Sequence, residues 1–251
     1  ETINLPESLT SISVYAFEGC TALKVIEFPE TLVAIGSCAF RDCSGLKEIT
    51  IPETVTVING HTFSGCTGLK AVNLPDTLET IYAYAFDGCL FESIDIPDKV
   101  TTIASRAFNN CTKLSEVGYP SGWTTVLDHY RNSATYYSDG SSDYTTPFEG
   151  CSLLKEITVD EGVTSIPKHA FRYMTSLETI NLPESLTSIS VYAFDGCTKL
   201  SATWIPVSVI DIKNSTFNNC SSLTIHSEDN SYAKEYAETN NIPFSTEKLT
   251  Y

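Results

Sequence analysis

Pro6-Glu7-Ser8-Leu9-Thr10-Ser11-Ile12-Ser13-Val14-Tyr15-Ala16-Phe17-Glu18-Gly19-Cys20-Thr21-Ala22-Leu23 is a unit that the chain repeats almost from end to end. Its mark is Ala16-Phe17, then Cys20, Leu23, Ile26 and Phe28-Pro29. Cys20, Cys43, Cys66 and Cys89 stand 23 residues apart; Cys111 follows after 22 and Cys151 after 40, and Met174, Cys197 and Cys220 resume the step of 23. Three residues before each stands a phenylalanine: Phe17, Phe40, Phe63, Phe86, Phe108, Phe148, Phe171, Phe194 and Phe217. Isoleucine stands eight residues before the Cys position in every unit but the 40-residue one. A fixed period of this length means stacked repeats, each packing only on its neighbours. The 251 residues therefore read as one continuous solenoid, not as two globular domains.

Within a unit, apolar residues alternate over Ile26 and Phe28, the mark of a short strand, and Pro29 ends it because proline donates nothing to a ladder. Leu32 and Ile35 predict a second short extended piece, and Ala39-Phe40 through Leu46 a turn or a single helical turn. The expected organisation is a solenoid of about nine 23-residue units over 1–225, with an insertion within 121–146, and a C-terminal cap over 226–251. In that cap Ser231 is placed as a helix N-cap, with Tyr232/Tyr236 and Ala233/Ala237 as i,i+4 pairs, before a last strand at Ile242-Pro243-Phe244.

Charge excludes some partners. Fifteen Lys and Arg against 31 Asp and Glu leave a net charge of −16, which repels phosphate backbones and anionic lipids. Nucleic acid is set aside as a partner. No apolar run approaches the roughly 18 residues of a membrane span, so no membrane insertion is expected within these residues. Glu1 to Phe17 repeats without a difference as Glu178 to Phe194, and the natural protein is expected to extend upstream.

Leu46-Lys47-Glu48-Ile49-Thr50-Ile51-Pro52 and Leu177-Glu178-Thr179-Ile180-Asn181-Leu182-Pro183 resemble the BspA-like, or treponemal-type, leucine-rich-repeat family. Its units run L-x-x-I-x-L-P-x-x-L-x-x-I-x-x-x-A-F-x-x-C. The resemblance covers about residues 1 to 225 apart from the insertion. It implies a β-dominated right-handed superhelix: a parallel sheet on the concave face, short strands and turns on the convex side, and a helical C-terminal cap. It also implies a secreted or cell-surface location, largely in bacteria, and a role in adhesion.

Nine cysteines invite a disulfide or metal reading. Eight fall in one core slot, and Met174 in that slot packs but cannot pair, so they read as a buried thiol ladder. Spacing of about one strand leaves pairwise bridges open on distance, although the side chains point the same way. Cys38 lies outside the ladder. No C-x2-C is present, the histidines stand in no catalytic constellation, and neither a G-x-S-x-G nor a phosphate loop occurs. No catalytic residue, metal or cofactor is assigned, and the chain is read as non-enzymatic and monomeric.

Function is sought in what the repeat leaves variable. With Ile26 and Phe28 inward, Glu27 and its equivalents Asn73, Asn181 and Trp204 face outward, beside a column holding Lys24, Lys47 and Lys70. The insertion adds Trp123, Tyr130, Tyr136, Tyr137 and Tyr144. Exposed Trp and Tyr are typical anchors of interfaces. These residues are the candidate ligand-binding set, for an extracellular protein or glycan. The competing reading is a spacer that presents another domain. Thr203 stands where other units place Ile or Val, so a strand slip that buries Trp204 is also conceivable.

Overall fold

The 23-residue step becomes one coil of chain in the computed structural model, which describes residues 2–127 and 145–249. Two compact units are distinguished, Glu1–Leu153 and Leu154–Tyr251. Strands are numbered in chain order. In the first unit the longer strand of each coil is β1 (Thr2–Asn4), β3 (Val25–Glu27), β5 (Glu48–Thr50), β7 (Ala71–Asn73), β9 (Ser93–Asp95) and β11 (Glu116–Gly118). The second strand is β2 (Ser11–Ile12), β4 (Ala34–Ile35), β6 (Val57–Ile58), β8 (Thr80–Ile81), β10 (Thr102–Ala104) and β12 (Thr125–Leu127). All pairs are parallel and keep the period of the sequence: Thr2 faces Val25, Ile3 faces Ile26 and Asn4 faces Glu27. The expected parallel-strand solenoid is what forms, with successive turns and no helix between Ala39 and Leu46.

Each long strand is too short to hold by its ladder alone, so burial decides its register. In β3, Ile26 is buried and Val25 and Glu27 are exposed. Behind the strands the phenylalanines stack face to face. Phe17, Phe40, Phe63, Phe86, Phe108 and Phe148 follow one another at 5.1, 5.6, 5.5, 5.4 and 5.4 Å between ring centroids. The cysteines do more than fill space. Cys43 Sγ donates to Phe17 O at 3.0 Å, Cys66 Sγ to Phe40 O at 3.1 Å and Cys89 Sγ to Phe63 O at 3.3 Å. Each thiol thus ties one coil to the carbonyl of the coil before. All nine cysteines are free.

The turns that lead to the ladder position adopt left-handed backbone twice in each coil except the 40-residue one, where the described residues show it once, at Gly150. One such site precedes the ladder cysteine, and there Gly19, Gly65 and Gly88 alternate with Asp42 and Asn110, residues that reach positive φ at low cost. On the other side of each coil, the residue after the strand-ending proline also has a structural task. Glu53 Oε1 accepts from Asp76 N at 3.3 Å, and Asp98 Oδ1 accepts from Ser121 N at 2.9 Å. Part of the acidity therefore caps backbone donors of the next coil.

The 40-residue unit is a regular coil with its extra length in one place. Val126 pairs with Ile103 and occupies the slot expected to lack an isoleucine. Trp123 N donates to Pro120 O, as Val100 N does to Pro97 O, so Trp123 fills the leucine slot. The coil resumes at Thr145, whose carbonyl accepts from Ser105 Oγ at 2.9 Å.

The second unit repeats the plan. Its long strands are β13 (Glu156–Thr158), β15 (Thr179–Asn181), β17 (Ala202–Trp204) and β19 (Thr224–His226), followed by β20 (Phe244–Ser245); its second strands are β14 (Ser165–Ile166), β16 (Ser188–Ile189) and β18 (Asp211–Ile212). Helix α1 (Tyr232–Thr239) lies between β19 and β20, and Ser231 Oγ caps it by accepting from Lys234 N. Its face of Ala233, Tyr236 and Ala237 is buried, while Tyr232 is exposed. The stack Phe171, Phe194, Phe217 ends edge-on against Tyr236 at 6.2 Å. The helix thereby covers the apolar end that the last phenylalanine would leave open.

Candidate functional site

Positions 25, 27 and their equivalents point outward because the residue between them is drawn into the core. On the first unit this exposes Glu27 and Asn73, the latter donating through Nδ2 to Thr50 Oγ1 at 3.1 Å. Both line one groove of about 320 Å³ with Val25, Phe28, Glu30, Glu48, Thr50 and Pro52. Lys24, Lys47 and Lys70 run beside it on adjoining rungs. Lys47 N donates to Lys24 O at 3.3 Å and Lys70 N to Lys47 O at 2.9 Å. All three are exposed, and among the described residues none is ion-paired. In the same column of the second unit Lys155 pairs with Glu178 at 3.0 Å. The groove offers carboxylates beside a half-buried Phe28, next to the column of positions that holds Lys24, Lys47 and Lys70.

The second unit carries the larger cleft, about 430 Å³, lined by Asn181, Leu182, Glu184, Trp204, Val207, Glu228, Lys248 and Leu249. Strand β17 does not slip. Ala202, Thr203 and Trp204 face Thr224, Ile225 and His226 in register. Thr203 is thus fully buried, its Oγ1 without a hydrogen-bond partner, and Trp204 stays half-exposed. Lys248 Nζ lies 5.8 Å from the centre of the Trp204 ring. Asn181 stands on the neighbouring strand, its Nδ2 donating to Thr158 Oγ1 at 3.1 Å and to Glu156 Oε1 at 3.0 Å.

Trp123 belongs elsewhere. It is 2% exposed, its Nε1 donates to Thr125 O at 2.9 Å, and its ring packs against Tyr119 and edge-on to Phe148. The spacing Pro120-x-x-Trp123, the same as Pro29-x-x-Leu32, already marks this core slot. Tyr130, Tyr136, Tyr137 and Tyr144 lie outside the described residues.

Two surface residues escaped the sequence analysis. Val207 is 52% exposed where Glu30, Glu53, Asp76 and Glu184 stand in other coils, and Ile210 is 71% exposed where Thr10, Thr56 and Thr187 stand. Aligning columns of outward residues, rather than only the inward ones, would have found both.

The thiols of the inner coils are poor nucleophiles, whereas at the end of the ladder the hydrogen bond with Cys197 lowers the pKa of half-buried Cys220. Burial pushes Cys43 up to about 11, and Cys66 and Cys89 are raised by the same cause, so they stay protonated near neutrality. Among the described residues no group of three His, Cys, Asp or Glu could hold a metal ion, and no helix is long and apolar enough to cross a membrane.

The sequence profile of the BspA type leucine-rich-repeat region matches residues 1–115 and 144–244, in 6 copies. A solved leucine-rich repeat protein from Bacteroides ovatus is similar at 30% identity and a TM-score of 0.67, covering 97% of this chain and 59% of that one. Another, from Eubacterium ventriosum, shares the fold at 21% identity and a TM-score of 0.54, covering 88% of this chain and 64% of that one. The chain therefore spans under two thirds of either relative. No curated protein matches it by sequence.

Proposed function

We propose that this chain, which belongs to the BspA-type leucine-rich-repeat family, is a non-enzymatic protein-binding module of a secreted or cell-surface protein. Its ligand engages the outward side chains of the long strands. One observation carries this reading: the inward residues repeat in most coils, with Thr203, Trp123 and Val126 as exceptions, while the outward ones change from Glu27 to Asn73, Asn181 and Trp204 and border two grooves. Packing explains the constant positions and leaves the variable ones to recognition. In this proposal Lys24, Lys47 and Lys70 set a charged edge that orients a partner, and Trp204 is the anchor. The secreted or surface location and the adhesive role come from the family resemblance.

The test is a screen of the immobilised chain against extracellular-matrix proteins and glycans, repeated with Lys24, Lys47 and Lys70 changed to Glu and with Trp204→Thr. A protein ligand that is lost with either set, while substitution of Tyr15 on the turn side leaves it bound, supports the reading. A ligand indifferent to both sets, or no ligand for the whole chain, overturns it.

A further inference from the structure

The coil that begins at Leu200 departs from the repeat's outward pattern toward the apolar at Trp204 and Val207, and it shares an exposed apolar residue at Ile210 with Val33 of an earlier coil. Trp204 replaces Glu27, Thr50 or Asn73; Val207 replaces a carboxylate; Ile210 replaces a threonine. The same coil breaks the inward rule at Thr203, buried with its hydroxyl unpartnered. A shift of one residue would exchange the two and sink the indole into the core. The ladder instead holds Trp204 out, beside exposed Val207. An apolar patch kept at the surface against this local preference marks an interaction site.

The charge around the patch selects the occupant. Glu184 and Glu228 stand on its walls, in a protein of net charge −16. The ring already carries a cation, Lys248 Nζ at 5.8 Å, and an indole face is the aromatic surface best suited to one. Among the described residues no ion pair or side-chain hydrogen bond holds that lysine besides its approach to the ring. The backbone just before it is fixed, because His226 Nδ1 donates to Glu247 O at 2.8 Å and Glu247 N donates to Ser245 Oγ at 3.1 Å. A rotation of the exposed Lys248 side chain is enough to clear the ring.

We propose that the Trp204 cleft receives a lysine or arginine side chain, flanked by apolar residues, from an extended segment of a partner protein, with Lys248 holding that place until the partner arrives. The proposal rests on the reading of the long-strand face as the binding face. Trp204 takes the aliphatic stem and cation, Glu184 and Glu228 balance its charge, and Val207 and Leu249 meet the flanking apolar residues.

The probe is acetyl-Val-Lys-Val-Lys-Val-amide, with its Glu-for-Lys counterpart and maltoheptaose alongside, followed by indole fluorescence and by calorimetry. The Lys peptide is expected to bind, to perturb Trp204, and to weaken about tenfold or more with Trp204→Thr, the residue that other coils carry there. Val207→Thr should weaken it a few-fold. Lys248→Gln should strengthen it several-fold by removing the internal competitor, which a merely structural lysine would not do. Unfolding curves of each variant confirm that the coil is kept. Equal binding of the Glu peptide or of maltoheptaose overturns the proposal, as does weaker binding after Lys248→Gln or no Lys-peptide binding to that variant at millimolar concentration. A protein ligand from the screen that survives Trp204→Thr and is lost with the lysine set leaves the protein-binding reading standing and removes this one. A Lys peptide bound at Trp204, with no protein ligand in the screen, does the reverse.

Discussion

Thr203 shows what one residue in the wrong slot costs. Its hydroxyl left water on folding and found no partner, a loss of about 1–3 kcal/mol against a satisfied group. Thr203→Val keeps the shape and removes the orphan, and β17 then matches Val72 and Val117 of other coils. It should raise stability by about 1 kcal/mol, read as a higher midpoint in urea; an unchanged or lower midpoint would show that the hydroxyl is satisfied after all. His169 is a buried polar residue of another kind, one whose contribution depends on pH. It is 3% exposed, stacked on Tyr192 at 5.5 Å, and burial, aided by the charges of Lys168 and Arg172, holds its pKa down to about 4. An unfolded histidine titrates near 6.5, so between the two values the unfolded chain binds the extra proton. The contribution of neutral His169 is whole above pH 6.5 and is lost as pH falls toward 4, up to roughly 3 kcal/mol. Asn also tolerates left-handed backbone, so His169→Asn is the fitting control for a residue at φ 64. The stability difference between protein and variant should shrink from pH 7 to pH 4.5; a constant difference would refute the assignment. At this scale the sequence was read correctly for the inner cysteines but not for the buried Trp123, and Cys20 and Cys220 were placed in a buried ladder whose two ends are half-buried. The cysteine slot was legible as small and apolar. The S–H donated to a phenylalanine carbonyl was not, because no residue pattern reports where a carbonyl in the neighbouring coil points.

The elements were legible because each coil solves the same packing problem. Alternation over Ile26 and Phe28 placed β3 to within a residue, and Leu32 with Ile35 placed β4. The turn after β4 was left between two forms, since its left-handed positions hold Tyr15, Cys38 or His61, residues that do not announce positive φ. The phenylalanine stack supplies the strongest test of the coil as a unit. Phe86 is fully buried between Phe63 and Phe108, with Phe91 edge-on at 6.0 Å. Phe86→Ala removes contacts to both neighbours and should cost about 3–5 kcal/mol. Phe17 is half-buried and stacks on Phe40 alone among the described residues, so Phe17→Ala should cost clearly less. Equal losses in urea titrations of the two variants would mean that the coils do not transmit packing to their neighbours.

For the chain as a whole, period and length disagree by one residue before Cys111 and by 17 before Cys151, and the larger disagreement is now confined. The sequence bounded the extra 17 residues only as lying within 121–146, because Trp, Thr and Ser there read as loop. Burial divides that stretch. Trp123 and Val126 are core residues of the coil, and the register resumes at Thr145. Both edges are held by the same neighbour: Ser105 N donates to Leu127 O at 2.8 Å and Ser105 Oγ to Thr145 O at 2.9 Å. Arg106 N then donates to Thr146 O and Phe108 N to Pro147 O. Leu127 and Thr145 therefore stand where Ala104 and Ser105 stand in the previous coil, one peptide bond apart. Removing 128–144 and joining Leu127 to Thr145 restores the 23-residue step, since Cys111 and Cys151 are 40 apart and 40 − 17 = 23. Closing a shorter loop costs slightly less entropy, so the unfolding midpoint should stay within a few degrees or rise. Removing 122–146 instead takes Trp123 and Val126 out of the core and the strand pairing of β12 with it. That variant should lose several kcal/mol, because an apolar slot is emptied and the Ser105 donors lose both acceptors. Comparable melting of the two deletions would mean that the coil tolerates the loss of its own core, and the assignment of Trp123 to packing would fail.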